Sequence, residues 1–434
     1  MKRICIVSII LILAVQIKAQ TIKKLNLQEA FELAIQHSKQ LQIDSLKIQA
    51  LDFKKKQAQN AMLPVVAINA GYTRLSDNIP DIIIAGGAFK IEQIVNQFNN
   101  RVTLQQPIFQ GLRNWNTMKS LDQQKEAASF DKQKNLQDVK LSVVQAYFSL
   151  YKLQQAKILL DSNIAQTQTR VNDIIKFKDA GIVLNNDVMR AELQKTNLLV
   201  SKADVESAID VMNYNMCVLL GIENTTKIEV ENPDIVNEAT ASIQSMVCTS
   251  FHERAELKAQ EFRSKAADYM VKASKSAYMP TINAVGNGMY NNPNQRMFPP
   301  EAKFKATWDI GVSLSWNIMQ LYTARAIVGD AKNQKAQLEQ VTSQIKDGIA
   351  MDVNANYEAL NVALLKIDLA NKAITQAREN KRILDNRFDA QVALLSDVLE
   401  ADQLLLQAQT NLLNAQADVA IANYKLQRSL GAIK

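Results

Sequence analysis

Proline is scarce in this chain. Of eight prolines in 434 residues, none falls between Pro107 and Pro233 and none after Pro300. A proline inside a helix costs about 3 kcal/mol, so gaps of this length mark ground where long helices can run unbroken. Glycine is equally sparse at 12 residues, while Ala, Gln, Leu and Lys, all good helix formers, are plentiful. Only two histidines occur, His37 and His252, and there is no HExxH, CxxC or GxxxxGK[ST] sequence. Zinc-hydrolase, thiol-redox and phosphate-loop chemistries therefore lack their usual carriers. We expect no enzyme, no bound metal and no cofactor.

Cysteine is nearly absent as well: Cys5, Cys217 and Cys248 are all there is. A helix-rich chain of this size needs no disulfide staple, so Cys217 and Cys248 are expected to be free thiols. The formal charge of +7 is spread among acidic residues. Its longest basic run, Lys54-Lys55-Lys56, has no interleaved aromatics and reads as a solvated helix face, not a nucleic-acid platform. Long apolar runs are missing too, with one exception. Lys2 and Arg3 precede an apolar stretch from Ile4 to Val15, followed by QIKAQ. About 20 apolar residues are needed to span a bilayer, so this stretch is too short. Residues 1–19 have the layout of a secretory signal peptide, with cleavage expected between Ala19 and Gln20. Losing Lys2, Arg3 and Lys18 would lower the charge from +7 to +4.

What the chain does have is a copy of itself. At an offset of 210, Val102 meets Val312, Leu104 meets Leu314, Tyr147 meets Tyr357, Asp187-Val188 meets Asp397-Val398, and Leu220-Gly221 meets Leu430-Gly431. Nearer the start of each half the offset is 216, which pairs Pro64 with Pro280. Such self-similarity marks a duplicated unit. The expected organisation is a first repeat over 20–235 and a second over 236–434, with a linker around Pro233. Each repeat begins with a helix running up to its proline. An extended pair of segments follows, about 65–109 and about 281–318. Then come a long helix, about 111–177 or 321–387, a short break, and a last helix ending at Gly221 or Gly431, where glycine favours a C-terminal cap. At 1.5 Å per residue the long helices would each reach about 100 Å. In the final helix, Val398, Leu405, Leu412, Val419 and Leu426 recur every seven residues, shadowed by Ala401, Ala408, Ala415 and Ala422. That heptad predicts coiled-coil packing with close approach along the alanine seam.

One stretch breaks the helical pattern. In TWDIGVSLSWNI, residues 307–318, every second position is apolar: Trp308, Ile310, Val312, Leu314, Trp316 and Ile318. This is a strand with one oily and one wet face. Trp308 and Trp316 would stand about 26 Å apart along it. Outer-membrane barrels carry a lipid-facing band about 25 Å tall bordered by aromatic girdles. With an export signal in the same chain, we read the oily face as lipid-facing, with Tyr72 and Tyr290 supplying further girdle aromatics. Four strands cannot close a barrel, and open edges are forbidden in lipid, so several copies would have to share one. A strand buried in a soluble sheet is the competing reading.

Several motifs together resemble the outer-membrane efflux proteins, the TolC-like family. QPIFQG at 106–111, with Pro107 and Gly111, is similar to that family's strand-to-helix junction. FKDAGIVLNNDVMRAEL at 177–193 and RFDAQVALLSDVLEADQLL at 387–405 resemble its paired helix–turn–helix tips, and LQEAFELAIQHSKQL at 27–41 its opening helix. The resemblance covers essentially the whole chain after residue 19. It implies a mainly α fold with a small β part. Long antiparallel helices would form a periplasmic α-barrel, and two β-hairpins per chain would contribute to a trimeric 12-stranded outer-membrane β-barrel. It further implies a homotrimer in outer-membrane lipid that docks to a periplasmic adaptor (membrane fusion) protein and an inner-membrane transporter of RND or ABC type.

By the same resemblance, Asp397 and Glu400 would ring a periplasmic entrance; three apart, they share a helix face. The plainer role for acids in a first turn is to complement the helix dipole, with Ser396 as cap. In the first repeat Asp187 matches Asp397, but Arg190 stands where Glu400 does, and we expect it to pair with an acid on a neighbouring helix. Phe388 stands where many members have tyrosine. The exposed tips, with Asp179, Gly181, Asp389 and Gln391, are candidate adaptor contacts. Only Gly181 brings glycine's backbone freedom to its turn. The function implied is a passive duct carrying drugs, toxic compounds or metal ions. The exit duct of a type I protein-secretion system and a non-pore periplasmic coiled-coil protein are the alternatives.

Overall fold

The computed structural model describes residues 22–76, 82–84, 87–89, 94–231, 242–431 and 433. The expected signal peptide with its Ala19–Gln20 junction, and the linker around Pro233, lie outside the described residues. Eight helices are described: α1 (Leu27–His37), α2 (Lys39–Asn60), α3 (Arg113–Asp179), α4 (Asn185–Leu220), α5 (Ile243–Glu253), α6 (Ala255–Ser274), α7 (Gln320–Asp389) and α8 (Leu395–Leu430). The strands are β1 (Ile22–Leu25), β2 (Val65–Arg74), β3 (Ile82–Ile84), β4 (Gly87–Phe89), β5 (Asn96–Phe109), β6 (Lys227–Val230), β7 (Thr281–Asn291) and β8 (Lys305–Ser315). The long helices α3 and α7 run for 67 and 70 residues, as the proline-free stretches predict.

The opening segment of each repeat is two helices, not one. Asn26 caps α1: its Oδ1 accepts from the Glu29 amide at 2.8 Å, and Glu29 reaches back to the Asn26 amide. The helix stops at Ser38, whose backbone turns extended while its hydroxyl accepts from the Leu41 amide and starts α2. Arg254 makes the equivalent break between α5 and α6. It is held out of the helix by what its side chain reaches: Asp352 at 2.8 Å and Glu256 at 3.2 Å, in a nearly fully buried position. A serine that caps locally and an arginine drawn to a distant carboxylate leave no periodicity to read.

The chain divides into two compact units. One comprises residues 1–44, 131–257 and 345–434. Here β1 and β6 form a parallel pair, Ile22 opposite Lys227 through Leu25 opposite Val230. Tyr147, Phe148, Val143, Met216 and Leu220 pack beneath it with Leu25 and Phe31. The Tyr147 hydroxyl donates to the carbonyls of Leu25 and Glu231, tying α3 to the strand pair. Burial, with the field of Glu231, pushes that phenol up to about 12. A second cluster joins Leu257, Val353, Leu360, Val419, Ala422 and Leu426, so the α8 heptad seam is buried as its spacing predicts. Cys217 is buried, its thiol donating to the Thr226 carbonyl, and neither Cys217 nor Cys248 forms a disulfide.

The other unit comprises residues 45–130 and 258–344. It holds a four-stranded antiparallel sheet of order β2-β5-β7-β8, so the two repeats meet at its centre, β5 against β7. The short pair β3–β4 lies in sequence between β2 and β5. Helices in this unit are joined by a Ser120 hydroxyl donating to the Ala266 carbonyl at 2.9 Å and by Phe130 stacked on Phe262.

Candidate functional site

The sheet register sorts its side chains by chemistry. Cross-strand partners include Ile68, Val102, Gly288 and Trp308 in one row and Val66, Leu104, Gly286 and Ile310 in the next. On this face Trp308, Ile310, Val312 and Leu314 are 78, 79, 69 and 65% exposed, a continuous apolar patch of the kind that marks a protein or membrane contact. Polar side chains on this face include Asn100, which donates to the Tyr290 carbonyl, Gln106, which donates to those of Met62 and Pro107, and Asn96, which accepts from the Tyr72 hydroxyl, with Arg74 beside Asn96 at the end of the sheet. The opposite face carries Asn69, Arg101, Thr103, Asn283, Asn287, Thr307, Asp309 and Ser313. There the Thr103 hydroxyl donates to Asn287 Oδ1 at 3.0 Å, and Asn287 Nδ2 donates to Asp309 Oδ1 at 2.8 Å.

Tyr72 and Tyr290 fall on the apolar face, in rows close to Trp308 and at the end of the sheet away from Trp316. They do not stand alone. Tyr72 meets Phe98 at 5.0 Å, Phe98 meets Phe304 at 5.5 Å, and Phe304 stacks on Tyr290 at 5.1 Å. Phe98 and Phe304 escaped the sequence reading, although both sit on even-numbered positions that continue the apolar alternation. Among the described residues β2 pairs only with β5 and β8 only with β7, so both outer edges of the sheet are open.

At the junction, Pro107 sits at a register shift in the β5–β7 pairing, and Gly111 and Leu112 both have left-handed backbones, φ 63° and 61°. A Cβ on Gly111 would lie 2.8 Å from that of Ser276. Position 111 is therefore closed to larger residues by contact as well as by conformation, whereas Leu112 takes the left-handed backbone with its side chain exposed.

The two helix–helix turns are built alike. The Ile182 amide donates to the Phe177 carbonyl at 2.8 Å, and the Val392 amide to the Arg387 carbonyl at 2.8 Å, the six-to-one bond of a glycine-type helix stop. The left-handed residue is Gly181 in one (φ 73°) and Gln391 in the other (φ 57°), so the glutamine adopts the conformation we expected of the glycine alone. Asp179, Gly181, Asp389 and Gln391 are all exposed. Asp187 accepts from the Leu184 amide at 3.2 Å and thus serves the start of α4. Its counterpart Asp397 takes a hydrogen bond from Ser396. Ser396 is not the cap we expected: α8 begins at Leu395, and Leu394 holds the capping position without a side-chain bond. Asp397 is half-buried, while Glu400 and Arg190 are exposed. No carboxylate among the described residues lies in ion-pair range of Arg190, so the partner we expected is not among them. Phe388 joins Val171, Ile174, Val188, Leu395 and Leu399 in a tip cluster and faces Phe177 at 6.3 Å.

The strongest electrostatic feature near the tips was not foreseen. Arg170 of α3 meets Asp385 of α7 at 2.8 Å and Asp402 of α8 at 3.3 Å, and Lys381 bridges the same two carboxylates. Burial alone would raise the Asp385 carboxyl, but the hydrogen bonds from Arg170 and Lys381 outweigh it and hold it below the ordinary value. Only Lys381 and Asp385, four apart on one helix, gave any sequence signal. Among the described residues no group of three or more His, Cys, Asp or Glu could hold a metal, and no helix is long and apolar enough to cross a membrane.

Comparison with known proteins agrees with this geometry. The profile described as outer membrane efflux protein matches residues 30–208 and 250–432. The outer membrane protein TolC of Vibrio cholerae serotype O1 (strain ATCC 39315 / El Tor Inaba N16961) is 20% identical over 417 residues, covering 94% of this chain and 91% of the relative. The outer membrane efflux protein BepC of Brucella suis biovar 1 (strain 1330) is 22% identical over 346 residues, covering 76% and 71%. Among solved structures, the Campylobacter jejuni CmeC outer membrane channel superposes with a TM-score of 0.78 at 15% identity, covering 93% of this chain and 85% of that one.

Proposed function

Because the chain belongs to the outer membrane efflux protein family, we propose that it is the passive outer-membrane channel of a tripartite efflux pump, carrying small molecules across the periplasm and outer membrane. The observation that supports this reading best is the sheet with one exposed apolar face, one polar face and two open edges. Lipid would cover the apolar face, but unpaired edges in lipid cost several kcal/mol per group, so the edges must meet those of other copies. The strands alternate in direction, so β8 of one copy can pair antiparallel with β2 of the next. Two copies would close eight strands, whose interior is filled by side chains, whereas larger barrels leave a lumen. Three copies and twelve strands fit a duct.

Trp316 at one end, and Tyr72, Tyr290 and Trp308 at the other, form the two aromatic girdles. The exposed turns with Asp179, Gly181, Asp389 and Gln391 dock a periplasmic adaptor, and Asp397 and Glu400 line the entrance beneath it. Arg190, with no acid in ion-pair range among the described residues, finds one on the adjacent copy. An inner-membrane transporter, proton-driven or ATP-driven, supplies the energy. The family assignment does not favour a protein-secretion duct, and a periplasmic rod without a pore has no use for the apolar sheet face.

Single cysteines test the reading in outer-membrane preparations, with Cys248 replaced by serine. A water-soluble thiol reagent is expected to label Ser313→Cys but not Ile310→Cys, and the protein to run as a heat-sensitive trimer on gels. Equal labelling of the two positions in a monomer would overturn it.

A further inference from the structure

The polar face of the sheet carries three ionisable residues among the described strands: Arg101, Lys305 and Asp309. The loop between β7 and β8 folds over the outer end of this face. Asn294, 2% exposed, donates to the Lys305 carbonyl and the Thr307 hydroxyl, and Met289 beneath the loop is 8% exposed. This fold brings loop charges onto sheet charges. Arg296 reaches Asp309 at 2.5 Å, and Glu301 reaches Lys305 at 3.0 Å. Two of the three polar-face charges are thereby neutralised within the chain. Arg101 is the third. It is exposed, opposite Met289 in the register, and has no ion pair among the described residues, although its field reaches Asp309. That aspartate is already engaged by Asn287 and Arg296.

We propose that Arg101 is a specificity-determining residue of the duct, three copies forming a ring of uncompensated cations on the barrel wall that draws small anions and acidic cargo and repels cations. The proposal rests on the barrel reading above. Rings of one charge sign set the preference of a pore for the opposite ion. The arrangement assigns a part to the loop as well: by pairing with Asp309 and Lys305, it leaves Arg101 as the one unpaired charge among the described strand residues of this face.

The test reads the local potential and does not depend on whether the tips are open. Asn99 lies on the polar face, exposed, two residues from Arg101. In the purified full-length protein with Cys248→Ser, Asn99→Cys is reacted with an anionic and with a cationic methanethiosulfonate reagent. The anionic reagent is expected to react faster relative to the cationic one than it does with a free thiol. Arg101→Gln should lower that ratio roughly three- to tenfold, the size of a unit charge acting through water at this range. Arg101→Glu should invert the preference, and Arg101→Lys should preserve it. Asp309→Asn, which frees Arg296, should move the ratio the opposite way from Arg101→Gln. A ratio unmoved by Arg101→Gln and Arg101→Glu overturns the assignment while leaving the barrel intact. A cysteine at position 99 that reacts with neither reagent shows that this face is not water-lined, and removes the barrel reading along with it.

Discussion

Gln391 does with a side chain what Gly181 does without one, and the difference is measurable. A left-handed backbone costs a non-glycine residue about 1–2 kcal/mol, so Gln391→Gly should stabilise its turn by about 1 kcal/mol. Gly181→Ala should weaken the other by a similar amount through conformation alone, since no atom lies within 4 Å of the added methyl position. Hydrogen exchange at the Ile182 and Val392 amides reads both. Tyr147 offers a second test. Its folded pKa of about 12 lies above the ordinary phenol value, so the folded state holds its proton more tightly. The resulting stability is complete below about pH 10 and is lost as pH rises through the folded value. Tyr147→Phe should cost about 0.5–1.5 kcal/mol at neutral pH by removing the hydroxyl's bonds to the Leu25 and Glu231 carbonyls, and should flatten the alkaline arm of a stability–pH curve. Tyr151 and Tyr424, also raised by burial, would keep part of that arm.

Elements were legible where their pattern is local. The period-two alternation of β8 and the heptad of α8 need only neighbouring letters; the heptad lies on its helix as expected, while the strand runs only from Lys305 to Ser315, so Trp316 and Ile318, expected on it, fall beyond its end. The breaks at Ser38 and Arg254 were not legible, because a cap and a distant carboxylate end those helices, not a change of composition. The β1–β6 pair joins segments about 200 residues apart, and no periodicity announces it. The Arg170 cluster was hidden for the same reason: its members come from three helices. Two predictions belong at this scale. Ala408, 6% exposed in the α8 seam, has no room for a larger neighbour, so Ala408→Leu should cost about 1–3 kcal/mol by overpacking, read as a lower unfolding temperature. On β8, Ile310→Arg should destabilise the membrane-embedded protein by up to about 2–4 kcal/mol, while Ser313→Arg on the other face should be tolerated. Urea titration in lipid vesicles compares them, and equal costs would contradict the facing assigned to this strand.

At the scale of the whole molecule, the duplicated sequence does not fold as two separate halves. Each compact unit takes segments from both repeats, and the sheet puts β5 of the first directly against β7 of the second. This interleaving could not be read from the repeat itself, which shows that the halves are similar but not that they are interlocked. It bears on biogenesis. The central pairing joins Arg101 to Met289, so ribosome and export machinery must deliver most of the polypeptide before the middle of the wall can exist. Contacts so distant along a chain form slowly. Until then, and on the proposed shared barrel until sister copies arrive, greasy ribbons with bare margins must travel through water. A newly exported copy is thus an aggregation hazard for the whole of its journey, and the cell envelope has to supply an escort or a rapid meeting with its sisters.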